Sequence, residues 1–136
     1  MKKFLSVLLS IIMVLSLVSM TAFASDEILV VTVLNIDTPV DGAEFDRFAD
    51  IPNGQPYKIF SQPEWYDETD KRFLETGDTF EDGHIYTVNV WLEANDGYKF
   101  KSTTTTTDVK ASINGKTAEA GKAYEYQRWA MVVVSY

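Results

Sequence analysis

The ionisable and nucleophilic side chains of this chain restrict the catalytic chemistry it can perform. It contains no cysteine and one histidine, His84, so thiol nucleophiles are excluded and a zinc site lacks its usual His and Cys ligands. A serine nucleophile would need His84 as its base, but His84 follows the turn signal Asp82-Gly83, and no Gly-x-Ser-x-Gly motif is present. We therefore expect the His84 ring to be an exposed turn residue without a catalytic role.

Carboxylates are abundant, with 20 Asp and Glu in the chain. Glycoside hydrolysis needs two of them facing each other across a deep cleft, which a small β domain rarely forms. Five acids lie in the proline- and glycine-rich segment 36–56: Asp37, Asp41, Glu44, Asp46 and Asp50. Their oxygens suit Ca²⁺, although the spacing is not that of an EF-hand loop. The sequence predicts no enzyme and no cofactor, and segment 36–56 is either a weak calcium candidate or a solvated acidic loop.

Aromatic side chains on two predicted strands are the better candidates for a binding site. In segment 85–93 apolar residues alternate with others, so Trp91 and Asn89 point away from the predicted core face. Segment 127–136 is a second long strand, and its Trp129 lies on the face opposite Ala130 and Val132. If these strands are neighbours, Trp91 and Trp129 stand together on one outer face of the sheet.

Tyr66, next to the predicted core residue Trp65, can join this outer face. Aromatic rings in a row on a sheet stack sugar rings or mark protein contacts, and Asn89 would supply a hydrogen bond to such a ligand. The alternative is that the long connection 36–56, pinned to the domain by Phe45 and Phe48, folds over these rings and covers them.

The elements that must position these residues are short strands separated by turns. Outside 1–24 we find no sustained helical periodicity. Segment 102–107 is rich in threonine and predicted to be extended, and 119–126 is predicted to be a loop because of Gly121. Asn114-Gly115 predicts a tight hairpin. The predicted strands are 28–34, 57–60, 64–66, 72–74, 85–93, 109–113, 116–119 and 127–136. Turn signals at this spacing favour an all-β sandwich.

The first 24 residues have the pattern of a secretory signal peptide. Lys2 and Lys3 precede an apolar run, and Ala22-Phe23-Ala24 is a small-residue site that predicts cleavage before Ser25. The alternative is a membrane anchor, but the run of about 17 residues is short for one. We expect residues 25–136 to be a single domain with no membrane association after cleavage.

The net charge indicates which classes of partner the protein can bind, and the cysteine content indicates which secretion route it uses. The whole chain carries a net charge of −8, and loss of Lys2 and Lys3 makes the remainder still more acidic. Such a surface repels phosphate backbones and anionic lipids, so nucleic-acid and membrane partners are not expected. A secreted domain without cysteine favours a bacterial exporter over a eukaryotic secretory route.

Two further patterns carry a family resemblance. Tyr86 follows Asp82-Gly83 with the spacing of a tyrosine corner. The chain also contains three motifs in succession: Phe80-Glu81-Asp82-Gly83-His84-Ile85-Tyr86-Thr87-Val88, Ala94-Asn95-Asp96-Gly97-Tyr98-Lys99-Phe100 and Ile113-Asn114-Gly115. This run resembles the bacterial Ig-like repeat modules of Gram-positive secreted and cell-surface proteins. The resemblance implies an Ig-like antiparallel β-sandwich of about seven strands, with Trp65 as its buried tryptophan and Val88 where immunoglobulin domains have a core cysteine.

These observations predict a secreted, non-enzymatic binding or adhesion module of Ig-like type. Its ligand would be a glycan or a protein at the cell exterior, contacted by Trp91, Trp129, Tyr66 and Asn89. The alternative is a structural or inhibitory accessory protein that acts on a larger secreted partner through its acidic surface. Ionic strength separates the two, because recognition by charge weakens steeply with salt whereas aromatic stacking barely responds.

Overall fold

The computed structural model describes residues 25–101, 109–124 and 127–136, and it describes 119–124 by their backbone alone. The predicted signal peptide 1–24 and the threonine-rich segment 102–107 lie outside the described residues. Within the described part every regular element is a β-strand, and the fold is an all-β, sandwich-like arrangement. No helix of the described residues has the length and apolar character needed to cross a bilayer.

Ten strands follow one another along the described chain. They are β1 (Asp26–Ile28), β2 (Val30–Val33), β3 (Tyr57–Ile59), β4 (Glu64–Asp67), β5 (Arg72–Phe73), β6 (Tyr86–Ala94), β7 (Tyr98–Phe100), β8 (Lys110–Ile113), β9 (Lys116–Tyr124) and β10 (Trp129–Ser135). The main sheet has the order β2-β8-β9-β10-β6-β4-β5. Strand β3 also pairs with β6, beside its C-terminal half, while β4 occupies its N-terminal half.

Strand β9 connects the part of the main sheet formed by β2 and β8 to the part formed by β10, β6, β4 and β5. Its first residues pair with β8 and its later ones with β10, where the register shifts between Ala130 and Val132. Buried residues of β2 and β8 therefore belong to the same core cluster as those of β6 and β10. The predicted strand adjacency holds, since β10 pairs antiparallel with β6 along seven residue pairs.

The prediction of a single strand over 28–34 was wrong. Ile28 and Val31 are buried, whereas Leu29 and Val30 between them are both exposed, so the alternation is interrupted. The interruption separates β1, which pairs parallel with β7, from β2, which pairs parallel with β8. Because the run is apolar except for Thr32, the sequence alone does not show where the alternation breaks.

The C-terminal third contains both a confirmed prediction and a correction. Asn114 and Gly115 have φ of 46° and 79°, the left-handed conformation that an Asn-Gly hairpin turn of the primed type requires. The predicted loop over 119–126 is instead largely strand, because β9 continues to Tyr124. Pairing with β10 supplies the backbone hydrogen bonds there, which overrides the weak strand propensity of Gly121.

The connection 36–56 packs on the core side of the sheet. Isolated bridges join Leu34 to Asp50 and Glu44 to Thr79, and the Asp46 carbonyl accepts a hydrogen bond of 3.0 Å from Trp65 Nε1. Phe45 packs partly buried against the core as expected. Phe48 does not pin the connection, because 72% of its surface is exposed.

The predicted tyrosine-corner geometry is present at Tyr86. Its ring is buried, and its hydroxyl accepts a hydrogen bond of 2.8 Å from the Glu81 N–H. We expect Tyr86→Phe to lower the free energy of unfolding by about 1 kcal/mol, because one intramolecular hydrogen bond is lost while the ring is kept. Chemical denaturation measures this, with Tyr98→Phe at an exposed position as the matched control. Equal midpoints for the two variants would show that the corner contributes nothing.

Candidate functional site

The face of the main sheet that points away from the core carries four successive rows of side chains, which we call the outer face. The pairing of β6 with β3, β4 and β10 defines them. From the C-terminal end of β6 the rows are Lys58, Glu93 and Trp129, then Phe60, Trp91 and Met131, then Glu64, Asn89 and Val133, then Phe73, Tyr66, Thr87 and Ser135. Most of these side chains are half-buried by their neighbours on the sheet.

A groove of about 290 Å³ opens on this face, lined by Phe60, Ser61, Glu64, Trp91 and Trp129. The Phe60 N–H donates to the Trp91 carbonyl at 2.8 Å, which places Phe60 directly beside Trp91. The rings of Phe60 and Trp129 are 5.5 Å apart between centroids, at 44°. Trp91 Nε1 donates to Glu64 Oε2 at 3.4 Å, so a carboxylate stands at the edge of an aromatic groove.

The structure brings three of the four sequence-predicted site residues close together. Trp91 and Trp129 both line the groove, and Asn89 lies in the next row, opposite Glu64. Tyr66 is on the same face but one row further, where its ring packs edge-on against Phe73 at 5.0 Å. No residue of segment 36–56 lines the groove, so the alternative in which that connection covers these rings is wrong.

Phe60 and Glu64 belong to the groove and were missed at the level of sequence. Alternation within 57–60 does place Phe60 outward, opposite in direction to the buried Tyr57. That signal does not reveal which strand lies alongside. The register of β3 and β4 on β6, which brings Phe60 to Trp91 and Glu64 to Asn89, arises only from tertiary pairing.

The indole N–H of Trp129 is a hydrogen-bond donor without an acceptor in the part of the chain that the structure describes. Nε1 is buried and has no hydrogen-bond partner among the residues that the structure describes. A buried donor without an acceptor costs about 1–3 kcal/mol, and such groups often have a functional reason.

An ion-paired cluster lies in the row of Trp129, at the C-terminal end of β6. The buried Glu93 carboxylate contacts Lys58 Nζ at 2.9 Å through Oε2 and accepts from Arg128 Nε at 2.8 Å through Oε1. These cations, Lys58 first, hold the pKa of Glu93 below its usual range against the opposing effect of desolvation. The Arg128 guanidinium also lies 5.8 Å from the Trp129 ring centre. Lys58 and Arg128 are therefore both engaged with Glu93.

His84 is not the exposed turn residue that the sequence predicted. Only 19% of its side chain is exposed, and its Nδ1 lies 2.8 Å from Oδ2 of Asp67, which is 2% exposed. The other oxygen of Asp67 accepts the N–H groups of Thr69 and Asp70, at 2.8 and 3.0 Å. The turn position of His84 was evident from the sequence, but its partner comes from β4, 17 residues earlier.

This contact shifts both pKa values. Burial raises the pKa of Asp67, but the hydrogen bonds from His84, Asp70 and Thr69 outweigh it and leave the pKa below its ordinary value. The hydrogen bond to Asp67 raises the pKa of His84, against a smaller opposing effect of desolvation. The two side chains thus favour the ionised carboxylate and the protonated imidazole.

Among the described residues, Asp67, Asp70 and His84 form the one group close enough to share a metal ion, with ligand atoms within 4.8 Å of one another. Both Asp67 oxygens already accept protein hydrogen bonds. We therefore interpret these three residues as a hydrogen-bonded cluster with a structural role, which anchors the turn before β6.

The five acids of segment 36–56 do not form such a group in the described structure. Three of their carboxylates instead accept hydrogen bonds that shape the connection: Asp46 from the Asp37 N–H, Asp50 from Asn35 Nδ2, and Asp41 from the Asp82 N–H. These hydrogen bonds fix the path of the loop, and no three of the five carboxylates lie close enough together to share an ion.

The outer face is thus the place where several sequence-predicted residues, an open groove and an unpaired donor coincide. Its rings and polar groups can stack on and hydrogen-bond a ligand. Comparison of the chain with protein-family models, with curated proteins and with solved structures found no match in any of the three.

Proposed function

We propose that this protein is a secreted, non-enzymatic binding module of Ig-like type, working at the exterior of a Gram-positive bacterial cell, and that it holds its ligand on the outer face. The observation that carries the proposal is the groove formed by Phe60, Trp91 and Trp129. These rings come from three separate strand regions and converge on the side of the sheet opposite the core.

The rings contribute little to the interior, which supports a role in binding. The core cluster lies on the other face of β6, where Val88, Val90 and Leu92 are fully buried. Phe60 leaves about half of its surface in water. Contiguous aromatic surface of this kind is unfavourable for solubility and marks interaction sites in soluble proteins.

The first test is acrylamide quenching of the tryptophan fluorescence of residues 25–136, in the unsubstituted protein, Trp91→Phe and Trp129→Phe. The protein has three tryptophans, and Trp65 is 1% exposed. We expect each variant to lose a quenchable component, because the groove is open and Trp65 is protected. If neither substitution changes the quenching curve, the groove is closed and the proposed function fails.

Stability measurements keep loss of binding separate from loss of folding. Because the Trp129 N–H has no partner in the described structure, Trp129→Phe removes no hydrogen bond. The gain from removing an unpaired buried donor and the loss of contacts with the smaller ring oppose each other, so we expect the free energy of unfolding to change by less than about 1 kcal/mol. Urea denaturation measures this change. A loss of several kcal/mol would instead make Trp129 a structural residue.

A second candidate function is the accessory role through acidic contacts, which one feature favours. A separate cleft of about 360 Å³ near the tyrosine corner is lined by three acids, Asp41, Glu81 and Asp82, and also by His84 and Lys116. A cationic segment of a larger secreted partner would suit this rim. Binding there should weaken severalfold between 50 and 500 mM NaCl, whereas binding at the aromatic groove should stay nearly constant.

A further inference from the structure

We infer that the ligand of the outer face is a neutral, linear glycan about four sugar units long, lying parallel to β6. This inference rests on the proposed function and specifies the ligand class of the same site. It comes from three features of the face: the length over which its rings extend, the polar row between them, and its charge.

The first feature is length. Outward side chains on a strand repeat every second residue, so the four rows extend over about 20 Å, the length of roughly four linked sugar rings. Aromatic side chains stand in the first row (Trp129), the second (Phe60 and Trp91) and the fourth (Tyr66 and Phe73). A chain of sugar rings laid along β6 would meet a ring at both ends and none in the third row.

The second feature is the polar third row. Glu64 and Asn89 are directly opposite each other across β4 and β6. Their carboxylate and amide can accept and donate hydrogen bonds to sugar hydroxyls, while the rings on either side stack on the apolar faces of the sugars. Alternating apolar and hydroxyl-rich surface is the pattern that a glycan presents.

The third feature is charge. Among the described side chains, Lys58 and Arg128 are both bound to Glu93, and the charged residue that lines the groove is Glu64. The whole chain is also strongly acidic, at −8. Sulfated or uronic-acid glycans would be repelled, so the complementary ligand is uncharged.

The test is isothermal titration of the 25–136 protein with β-1,4-linked oligomers of glucose, xylose and N-acetylglucosamine, one to six units long. In at least one series we expect affinity to rise tenfold or more from dimer to tetramer and then to level off. A tetramer of galacturonic acid should bind more weakly than the neutral tetramers. Failure of all three neutral series to bind at millimolar concentration, or tighter binding of the acidic tetramer, overturns the inference.

Variants locate the glycan along β6. We expect Trp91→Ala to weaken every oligomer tenfold or more, and Tyr66→Ala to weaken the tetramer about fivefold while leaving the dimer unchanged. Tyr98→Ala, at an exposed site on β7, is the matched control and should change nothing. If Tyr66→Ala affects dimer and tetramer equally, the ligand does not run along the strand and the inference is wrong.

Failure of the inference and failure of the proposed function give different results. If a protein ligand binds in a manner that Trp91→Ala abolishes while no glycan binds, the inference is overturned and the binding role of the outer face stands. If acrylamide does not reach Trp91 and Trp129, both are overturned.

Discussion

Replacing Trp65 with alanine should lower the free energy of unfolding by about 3–5 kcal/mol, the range for truncating a large buried aromatic side chain. Trp65 is 1% exposed. Its ring packs edge-on against Phe80 at 4.9 Å and lies 5.9 Å from the ring of Tyr136. Its Nε1 donates to the Asp46 carbonyl at 3.0 Å. One side chain therefore joins β4, Tyr136 and the connection 36–56.

The effect is large because small domains are stable by only about 5–15 kcal/mol. Thermal denaturation of Trp65→Ala should show a Tm lower by roughly 15 °C or more. Urea denaturation should show a correspondingly lower midpoint concentration. Trp65→Phe keeps most of the ring contacts and loses the hydrogen bond, so its effect should be well under half as large. Trp91→Phe, on the outer face, is the matched control. If Trp65→Ala and Trp91→Phe were equally stable, Trp65 would not be the centre of this core.

The sequence predicted the all-β class and the main features of β6 because strong local signals agree there. Period-two alternation over 85–93 predicted which side chains are buried, and the structure confirms Tyr86, Val88 and Leu92 in the core. The Asn114-Gly115 turn was predictable for the same reason, since few residue pairs adopt its backbone conformation. Where the local pattern is ambiguous, as in the continuous apolar run 28–34, the strand division was wrong.

The sequence predicted the face on which the candidate site lies, but it did not predict all the residues that form the site. Alternation placed Trp91 and Trp129 on one outer face, and the β6–β10 pairing confirms that placement. Phe60 and Glu64 entered through the register of β3 and β4 on β6, which no local pattern encodes. His84 shows the same limit: its turn was visible in the sequence, whereas the buried carboxylate of Asp67 reaches it from another strand.

The pairing of His84 with Asp67 should make stability depend on pH, with a maximum in the weakly acidic range. Because the pKa of His84 is raised in the folded protein, its contribution is complete below the unfolded value of about 6.5 and is lost as pH rises through the folded pKa. Because the pKa of Asp67 is lowered, its contribution is complete above the unfolded value of about 3.9 and is lost as pH falls through the folded pKa. The pair therefore stabilises most between about pH 4 and 6.5.

The single histidine makes this prediction simple to measure. Proton NMR of the imidazole should give one titrating signal, with a pKa above 6.5 in the folded protein and a lower one in Asp67→Asn. Urea denaturation should give a higher free energy of unfolding at pH 5.5 than at pH 8.5, and His84→Gln should remove most of that difference.

Asp67→Ala should be the most damaging change at this cluster. It removes the acceptor for His84 and for the Thr69 and Asp70 N–H groups. Hydrogen bonds to a charged group are worth about 1.5–3 kcal/mol each, and water can replace some of them, so we expect a loss of about 3 kcal/mol near pH 5.5. Asp78→Ala serves as the matched control, since Asp78 makes a similar capping contact with the Glu75 N–H but its pair with Arg72 is more exposed. Equal losses in the two variants, or a His84 pKa at or below 6.5, would show that the buried pair does not stabilise the turn that leads into β6.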